Sequence, residues 1–158
     1  MSKLSDILVY LCEQYPHKHE LSKARLTKMV YLADWRSSID RGKQMTDLVW
    51  VFNHYGPYLD DVVRTAKETR GLEVTSTQNM YGKRKDLVQR VGQMPAVELS
   101  QSERDVLDTV IRETEQLHWN GFIELVYSTY PVVTQERYVD LDLPQLALNY
   151  NQQKTAFA

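Results

Sequence analysis

The spacing of apolar residues in this chain changes from a helical to a strand period and back, and this change most constrains the fold. Residues 4–15 place apolar side chains at i, i+3, i+4 and i+7, which predicts an amphipathic helix that Pro16 ends. Residues 48–52 are an uninterrupted apolar run with β-branched and aromatic members, which favours a buried strand. Two alternating segments within residues 72–92 predict a β-hairpin. Both periods in one chain are typical of the α+β class.

Residues that start and stop helices predict further helical segments. A second helix covers about residues 22–39 and ends near Gly42, which suits a left-handed C-terminal position. A third is expected to begin with Gly56 as N-cap and Pro57 in its first turn. A fifth covers about residues 122–129.

The start of the fourth helix carries the most specific of these signals. Ser100 and Glu103 have the spacing of a capping box, in which each side chain accepts a hydrogen bond from the other residue's backbone. The predicted architecture is therefore α+β, with about five helices and one small antiparallel sheet made from the strand near 48–52 and the hairpin 72–92. Residues 1–150 are expected to form one domain, and residues 151–158 a polar, mobile C-terminal tail.

Composition excludes several classes of protein. The 19 basic and 21 acidic residues give a net charge of −2, which does not by itself indicate a nucleic-acid or membrane protein. The single cysteine excludes an internal disulfide and a cysteine-rich zinc site. The apolar N-terminal segment is interrupted by Ser, Asp and Glu, unlike a signal peptide, so we expect a cytoplasmic protein with no membrane partner.

The sequence contains no recognisable catalytic motif. It has no nucleophile elbow, phosphate-binding loop, dinucleotide fingerprint or zinc-protease motif. His17, His19 and Glu20 could offer metal ligands, but their polar inter-helix position favours a solvated turn. We therefore predict no enzyme, cofactor or metal, and keep an enzyme or metal protein that uses His17, His19 or His54 as an alternative.

The tip of the predicted hairpin is basic. Lys83, Arg84, Lys85 and Arg90 follow helical segments, as the wing does in winged-helix DNA-binding proteins. Residues 98–118 carry six acidic and two basic side chains, which oppose this positive field. A winged-helix-like DNA-binding regulator is therefore an alternative function, with DNA as the alternative partner.

Two segments resemble a known family. Residues 26–35, LTKMVYLADW, and residues 50–58, WVFNHYGPY, have the order and spacing of motifs in the SocA-like antitoxin, or Panacea, domain. Lys28, Tyr31, Gly56 and Pro57 are among the matching positions. Residues 124–131 resemble a late helix of that family, with Tyr127 where histidine is common and Val132 where tryptophan is usual.

The resemblance implies an antitoxin of bacterial or phage origin that neutralises a cognate toxin by direct protein contact and is not an enzyme. Association of this protein into a homo-oligomer is kept as a further alternative. Trp50 is assigned to the core because it lies within the apolar run. Exposed aromatic residues dominate many protein interfaces. The residues predicted to bind the partner are Tyr31, Trp35, His54, Tyr55, Gly56, Pro57 and Tyr58.

Overall fold

This computed structural model describes residues 2–78, 80–93 and 95–156. Within these ranges the chain forms seven helices and five short strands. The helices are α1 (Lys3–Gln14), α2 (Lys23–Arg41), α3 (Asp60–Glu68), α4 (Gln101–Thr114), α5 (Trp119–Tyr127), α6 (Tyr130–Thr134) and α7 (Leu143–Ala156). The strands are β1 (Trp50–Asn53), β2 (Gly56–Pro57), β3 (Leu72–Gln78), β4 (Arg84–Arg90) and β5 (Asp140–Leu141). A single 3-10 turn covers Lys18–Glu20.

The α+β class is confirmed, but the helices exceed the predicted number of about five. Pro131 does not end a helix; it lies in the first turn of α6, where its missing N–H leaves no hydrogen bond unmade. The described part of the predicted tail, residues 151–156, continues α7 instead, and residues 157 and 158 lie outside the described residues.

The strands form two separate antiparallel sheets. Strand β1 pairs with β2 on one side and with β5 on the other, in the order β2-β1-β5. Strands β3 and β4 form the second sheet, from Leu72 opposite Arg90 to Gln78 opposite Arg84, and Leu87 of β4 also makes an isolated bridge to Ser22. The prediction of one joint sheet is wrong because β2 and β5 occupy both edges of β1.

Gly56 and Pro57 form strand β2 and do not begin a helix. Gly56 has a φ of +95°, which lets the chain reverse after a two-residue turn and pair with Asn53. Helix α3 begins three residues later at Asp60, with Leu59 as its N-cap. Asp60 and Asp61 lie in its first turn, as predicted, where negative charge is favoured by the helix dipole.

Helix α2 lies at the centre of the molecule and packs against α1, α3, α4 and α7. Its ends agree with the sequence, because Ser22 is the N-cap and Gly42 the left-handed C-cap. Its middle does not, since every residue of 25–35 is buried, including Arg25 and Lys28. A helix surrounded by four others has no solvent face along this stretch, so these two basic side chains are enclosed with the apolar ones.

Helices α1, α4 and α7 complete the core around α2. The apolar face of α1 is buried as predicted, with Cys12 within it. Helix α4 begins with the predicted capping box of Ser100 and Glu103. Helix α7 contacts α2 through the rings of Trp35 and Tyr150, whose centroids are 5.8 Å apart. Within the described ranges, no helix combines the length and apolar character that crossing a membrane requires.

Candidate partner-binding site

The turn between β1 and β2 presents His54 and Tyr55 to solvent. The two rings meet edge to face with centroids 4.6 Å apart, and 76% of Tyr55 is exposed. His54 Nδ1 lies 3.2 Å from the hydroxyl of Tyr138, in the segment that leads into β5. The short β1–β2 pairing thus holds an exposed aromatic residue on a tight turn.

Four of the predicted partner-binding residues are buried, and their assignment to a contact surface is corrected. Tyr31 and Trp35 lie inside because α2 is covered on all sides in this stretch. Gly56 and Pro57 are buried because β2 packs beneath the turn. The other three predicted residues do reach the surface or a cavity. They are His54, Tyr55 and Tyr58.

The two buried aromatic residues of α2 support the site from within. The hydroxyl of Tyr31 lies 2.8 Å from Thr129 Oγ1, and its ring meets Trp50 edge to face with centroids 5.6 Å apart. Trp50 in turn donates to the buried carboxylate of Asp34 at 2.9 Å. These contacts fix β1, and with it the β1–β2 turn, against α2.

A cavity of about 490 Å³ opens beside this turn, and we call it the aromatic cavity. One wall comes from the start of α2 and from α5, and the other from the β1–β2 turn and the residue after β2. The lining residues are Lys23, Ala24, Lys28, Asn53, His54, Tyr55, Tyr58, Trp119, Ile123 and Tyr127. Its volume and apolar walls suit an inserted side chain or small ligand.

Lys28 is the buried cation of the aromatic cavity. Only 3% of this residue is exposed, and burial lowers the pKa of its ammonium group from the usual lysine value. The ammonium lies 5.8 Å from the centre of the Tyr58 ring. A cation over an aromatic face is stabilised by the ring, but less than by an opposite charge.

Gly56, Tyr127 and Lys28 meet at the floor of the cavity. A side chain at Gly56 would place its Cβ 3.4 Å from the Tyr127 hydroxyl and 3.7 Å from Lys28 Cε. The glycine is therefore required by the positive φ of the turn, since a Cβ there would meet these two side chains at ordinary van der Waals distances. This contact links the three segments that carry the family resemblance.

The basic hairpin borders a second cavity, of about 590 Å³, next to the first. Asp86 partly neutralises the positive charge around this second cavity. Its carboxylate oxygens lie 3.3 Å from Lys23 Nζ and 3.1 Å from Arg84 Nε. A hydrogen bond from Ser76 and these cations lower the pKa of Asp86, so the carboxylate stays charged. Lys85 donates to the carbonyl of His19 at 3.3 Å.

The hairpin is formed as predicted from residues on both sides of position 79, which lies outside the described residues. Lys83, Arg84 and Arg90 are exposed on it. The helix immediately before it, α3, begins with two aspartates, which does not suit the DNA-contacting helix of a winged-helix protein. DNA binding stays a prediction that no contact described here favours.

The histidines that could form a metal site lie in different surroundings. His17 is the N-cap of the 3-10 turn and His19 lies within it, with ring centroids 6.5 Å apart, whereas His54 lies in the β1–β2 turn. In the part of the chain that the structure describes, no group of three or more His, Cys, Asp or Glu side chains could hold a metal ion.

Of the ten residues that line the aromatic cavity, sequence reasoning identified His54, Tyr55 and Tyr58 and missed the other seven, among them Lys28 and Trp119. Trp119 begins α5 and lines the cavity together with the start of α2. The sequence did contain a signal for Lys28, because a lysine within an otherwise apolar helical motif indicates a specific structural or functional role. The sequence contained no such signal for the residues of α5, because no local pattern indicates that a helix near residue 120 packs against a turn near residue 55.

The family comparison agrees with this geometry. The model of the family described as antitoxin SocA-like, Panacea domain, matches residues 26–131, more than half of the chain. That range contains α2 from its fourth residue onward, the β1–β2 turn and α5, so it includes every residue that lines the aromatic cavity except the two at 23 and 24. Comparison with curated proteins and with solved structures gives no match. The chain belongs to the SocA-like antitoxin family and carries its Panacea domain.

Proposed function

We propose that this protein is an antitoxin that neutralises a cognate toxin by binding it directly. Membership of the SocA-like antitoxin family is the observation that carries the proposal. This mode of action needs a surface for a partner and no reaction at that surface.

The β1–β2 turn and the aromatic cavity together offer such a surface. Tyr55 projects from the turn, and Trp119, of which 46% is exposed, lies on the opposite wall. Tyrosine and tryptophan contribute much of the binding energy at protein interfaces, because they bury a large area and lose few rotamers. With a projecting aromatic residue beside a concave cavity, a partner can cover the Tyr55 side chain and also insert one of its own side chains into the cavity.

Co-expression with the product of the neighbouring gene tests the proposed function. We expect that product to stop growth when it is expressed alone and growth to resume when this protein is present. We also expect the two proteins to purify together. A neighbouring product that is harmless alone, or toxicity that this protein does not relieve, would contradict the proposal.

Surface variants connect neutralisation to the site. Tyr55→Ala and Trp119→Ala are each expected to weaken binding of the toxin by about tenfold or more, because each removes an aromatic contact of about 1.4 kcal/mol or more. Leu148→Ala, which removes an exposed apolar side chain on α7 away from the cavity, is the matched control. Equal affinities of all three variants, measured by calorimetry, would place the interface elsewhere.

DNA binding is tested separately, because an antitoxin can also bind DNA. If the hairpin bound duplex DNA, the affinity would fall steeply with salt as phosphate counterions were released. A gel-shift titration at low salt that shows no complex would remove this alternative.

A further inference from the structure

Lys28 is a buried residue whose ammonium group lies at the aromatic cavity without an anionic partner. The residue is 3% exposed, and among the residues that the structure describes none accepts a hydrogen bond from Nζ or forms an ion pair with it. Burying an unpaired charge is costly, and proteins seldom keep one unless it has a function. Lys28 lines the aromatic cavity, so the space that an anion would need is present beside it.

Arg25, one turn earlier on α2, shows how this fold treats a buried cation that has only a structural role. Its Nη2 donates to the hydroxyl of Tyr15 and to the carbonyls of Thr114 and Leu117, each at 2.8 Å, whereas its Nε is buried without an acceptor among the described residues. Lys28 is buried to the same degree and has no such set of acceptors. The difference indicates that Lys28 is completed by a group from outside the chain.

The surroundings of Lys28 favour a carboxylate on an apolar body. The second lysine of the cavity, Lys23, already lies 3.3 Å from Asp86 Oδ2, which leaves one unneutralised positive charge. One ammonium suits a monoanion, whereas a phosphate dianion is usually held by several donors. The walls are the rings of Tyr58, Tyr127 and Trp119 and the side chain of Ile123, which favour apolar groups next to the charge.

We propose that the aromatic cavity takes up an acidic side chain of the toxin, with its carboxylate at Lys28 Nζ and neighbouring apolar groups of the toxin against the aromatic walls. This inference rests on the proposed function, because it names the chemistry that the protein partner presents. The complementary charge then replaces the solvation that Lys28 loses in the fold.

A small carboxylate tests the cavity without the toxin. Phenylacetate and its neutral analogue phenylacetamide differ only in the group that would meet Lys28. We expect phenylacetate to shift the indole N–H signal of Trp119 in the NMR spectrum and to bind at least about tenfold more tightly than the amide. The signal is assigned with Trp119→Phe.

Two lysine variants separate the role of Lys28 from general positive charge. Lys28→Met should abolish the preference for the acid, which corresponds to a loss of about 10- to 100-fold in affinity for phenylacetate. Lys23→Met should retain the preference, since that ammonium is paired with Asp86. Urea unfolding checks that Lys28→Met is folded, and we expect a midpoint no lower than that of the wild type.

Several results would overturn the inference. They are equal binding of acid and amide, no shift of Trp119 with either compound, a preference for the acid that survives in Lys28→Met, and tighter binding of inorganic phosphate than of phenylacetate. Self-association of the wild type that Lys28→Met removes would assign the cavity to a second copy of this chain and would also overturn it.

The toxin provides the second arm of the test. Lys28→Met is expected to weaken binding of the toxin by about 10- to 100-fold. If the wild type and Lys28→Met neutralise the toxin equally, the inference fails while the proposed function stands. If the wild type does not neutralise the toxin, the proposed function fails, and the phenylacetate measurement still decides whether the cavity binds a carboxylate at Lys28.

Discussion

At the scale of single residues, the buried carboxylate of Asp34 connects α2 to β1. Its two oxygens accept hydrogen bonds from the backbone N–H of Met45 and Thr46, at 2.9 and 3.1 Å, from the hydroxyl of Thr46, and from the indole of Trp50 at 2.9 Å. Both oxygens are thus satisfied, but burial still raises the pKa of this carboxyl above its usual value, because the loss of water outweighs the hydrogen bonds that lower it. Asp34 holds the loop between α2 and β1 together with Ser37, whose hydroxyl donates to the Lys43 carbonyl at 2.7 Å.

Asp34→Ala is therefore expected to lower the free energy of unfolding by about 3 kcal/mol or more, because it leaves several buried donors without an acceptor. Urea unfolding followed by tryptophan fluorescence measures the loss. Asp40→Ala, which changes an exposed carboxylate on the same helix, should change the free energy of unfolding by less than about 0.5 kcal/mol. Similar values for the two variants would contradict the structural role of Asp34.

Gly42 and Gly56 both have positive φ angles, but only one of them lies in a crowded place. Gly42→Ala should cost about 1 kcal/mol of stability, since no atom lies within 4 Å of the added methyl group and only the backbone is strained. Gly56→Ala should cost about 2–3 kcal/mol, because its φ of +95° is less favourable for a residue with a Cβ, while the added methyl group meets Tyr127 and Lys28 at ordinary contact distances. The two urea midpoints compare these costs directly, and a Gly56→Ala protein as stable as Gly42→Ala would contradict the greater backbone strain at Gly56.

At the scale of helices and strands, the sequence was informative wherever the determinants are local. The apolar stripe of α1 and the box of Ser100 and Glu103 lie within one or two turns, so both helices could be predicted from neighbouring residues. Strands β2 and β5 have two residues each and exist only through pairing with β1, which no local pattern reveals. The burial of Lys28 escaped prediction because amphipathic reasoning assumes that a helix keeps one face in water.

The same distinction applies to the candidate site. Tyr55 could be identified as exposed because it lies in a turn beside a glycine. Trp119 and Tyr127 reach the cavity from a helix more than sixty residues later in the chain, and only the tertiary packing brings them to the turn. The part of the site that lies in the motif near residue 55 could therefore be found from the sequence, and the larger part on α2 and α5 could not.

The N-terminus of α4 makes the fold sensitive to acid. Burial alone would raise the pKa of Glu103, but hydrogen bonds from the Ser100 N–H and from Lys3, whose ammonium lies 3.0 Å away, lower it below the usual 4.5. The folded protein therefore keeps this carboxylate charged at a pH where the unfolded chain takes up a proton. The stability it contributes is present above about pH 4.5 and is lost as the pH falls through the lowered pKa.

Glu103→Gln should accordingly lower the free energy of unfolding by about 0.5–1 kcal/mol at neutral pH, because it removes the charge that favours the helix dipole and Lys3. The difference from the wild type should shrink as the pH falls below about 4.5. Urea unfolding at a series of pH values measures it, with Asp105→Asn on the same helix as the control. A difference that did not change with pH would show that the charge of Glu103 is unimportant.

At the scale of the whole molecule, the fold is larger than the range that the family model matches. That range, residues 26–131, omits α1, β5 and α7, although all three contribute to the core. Leu141 of β5 and Leu143, Leu146 and Ala147 of α7 are buried. We infer that the segments outside the match complete the domain on which the cavity is built.

A chain that ends at residue 131 is therefore expected not to fold. Removing three buried leucines costs about 5–9 kcal/mol of apolar burial, which is comparable to the total stability of a typical domain. A chain that ends at Lys154 loses no described buried side chain, and its free energy of unfolding should lie within about 1 kcal/mol of the wild-type value. Circular dichroism during thermal unfolding distinguishes the two, and a cooperative transition in the shorter chain would refute the inference.

The lone cysteine gives this fold a practical use. Cys12 is 1% exposed on the inner face of α1, and burial raises the pKa of its thiol to about 12. Alkylating reagents attack the thiolate, so the native protein should react with them only when α1 detaches. A cysteine placed at position 55 or 119 would then be the sole readily labelled position, and a crosslinker attached there could capture the toxin on the surface where we expect it to bind.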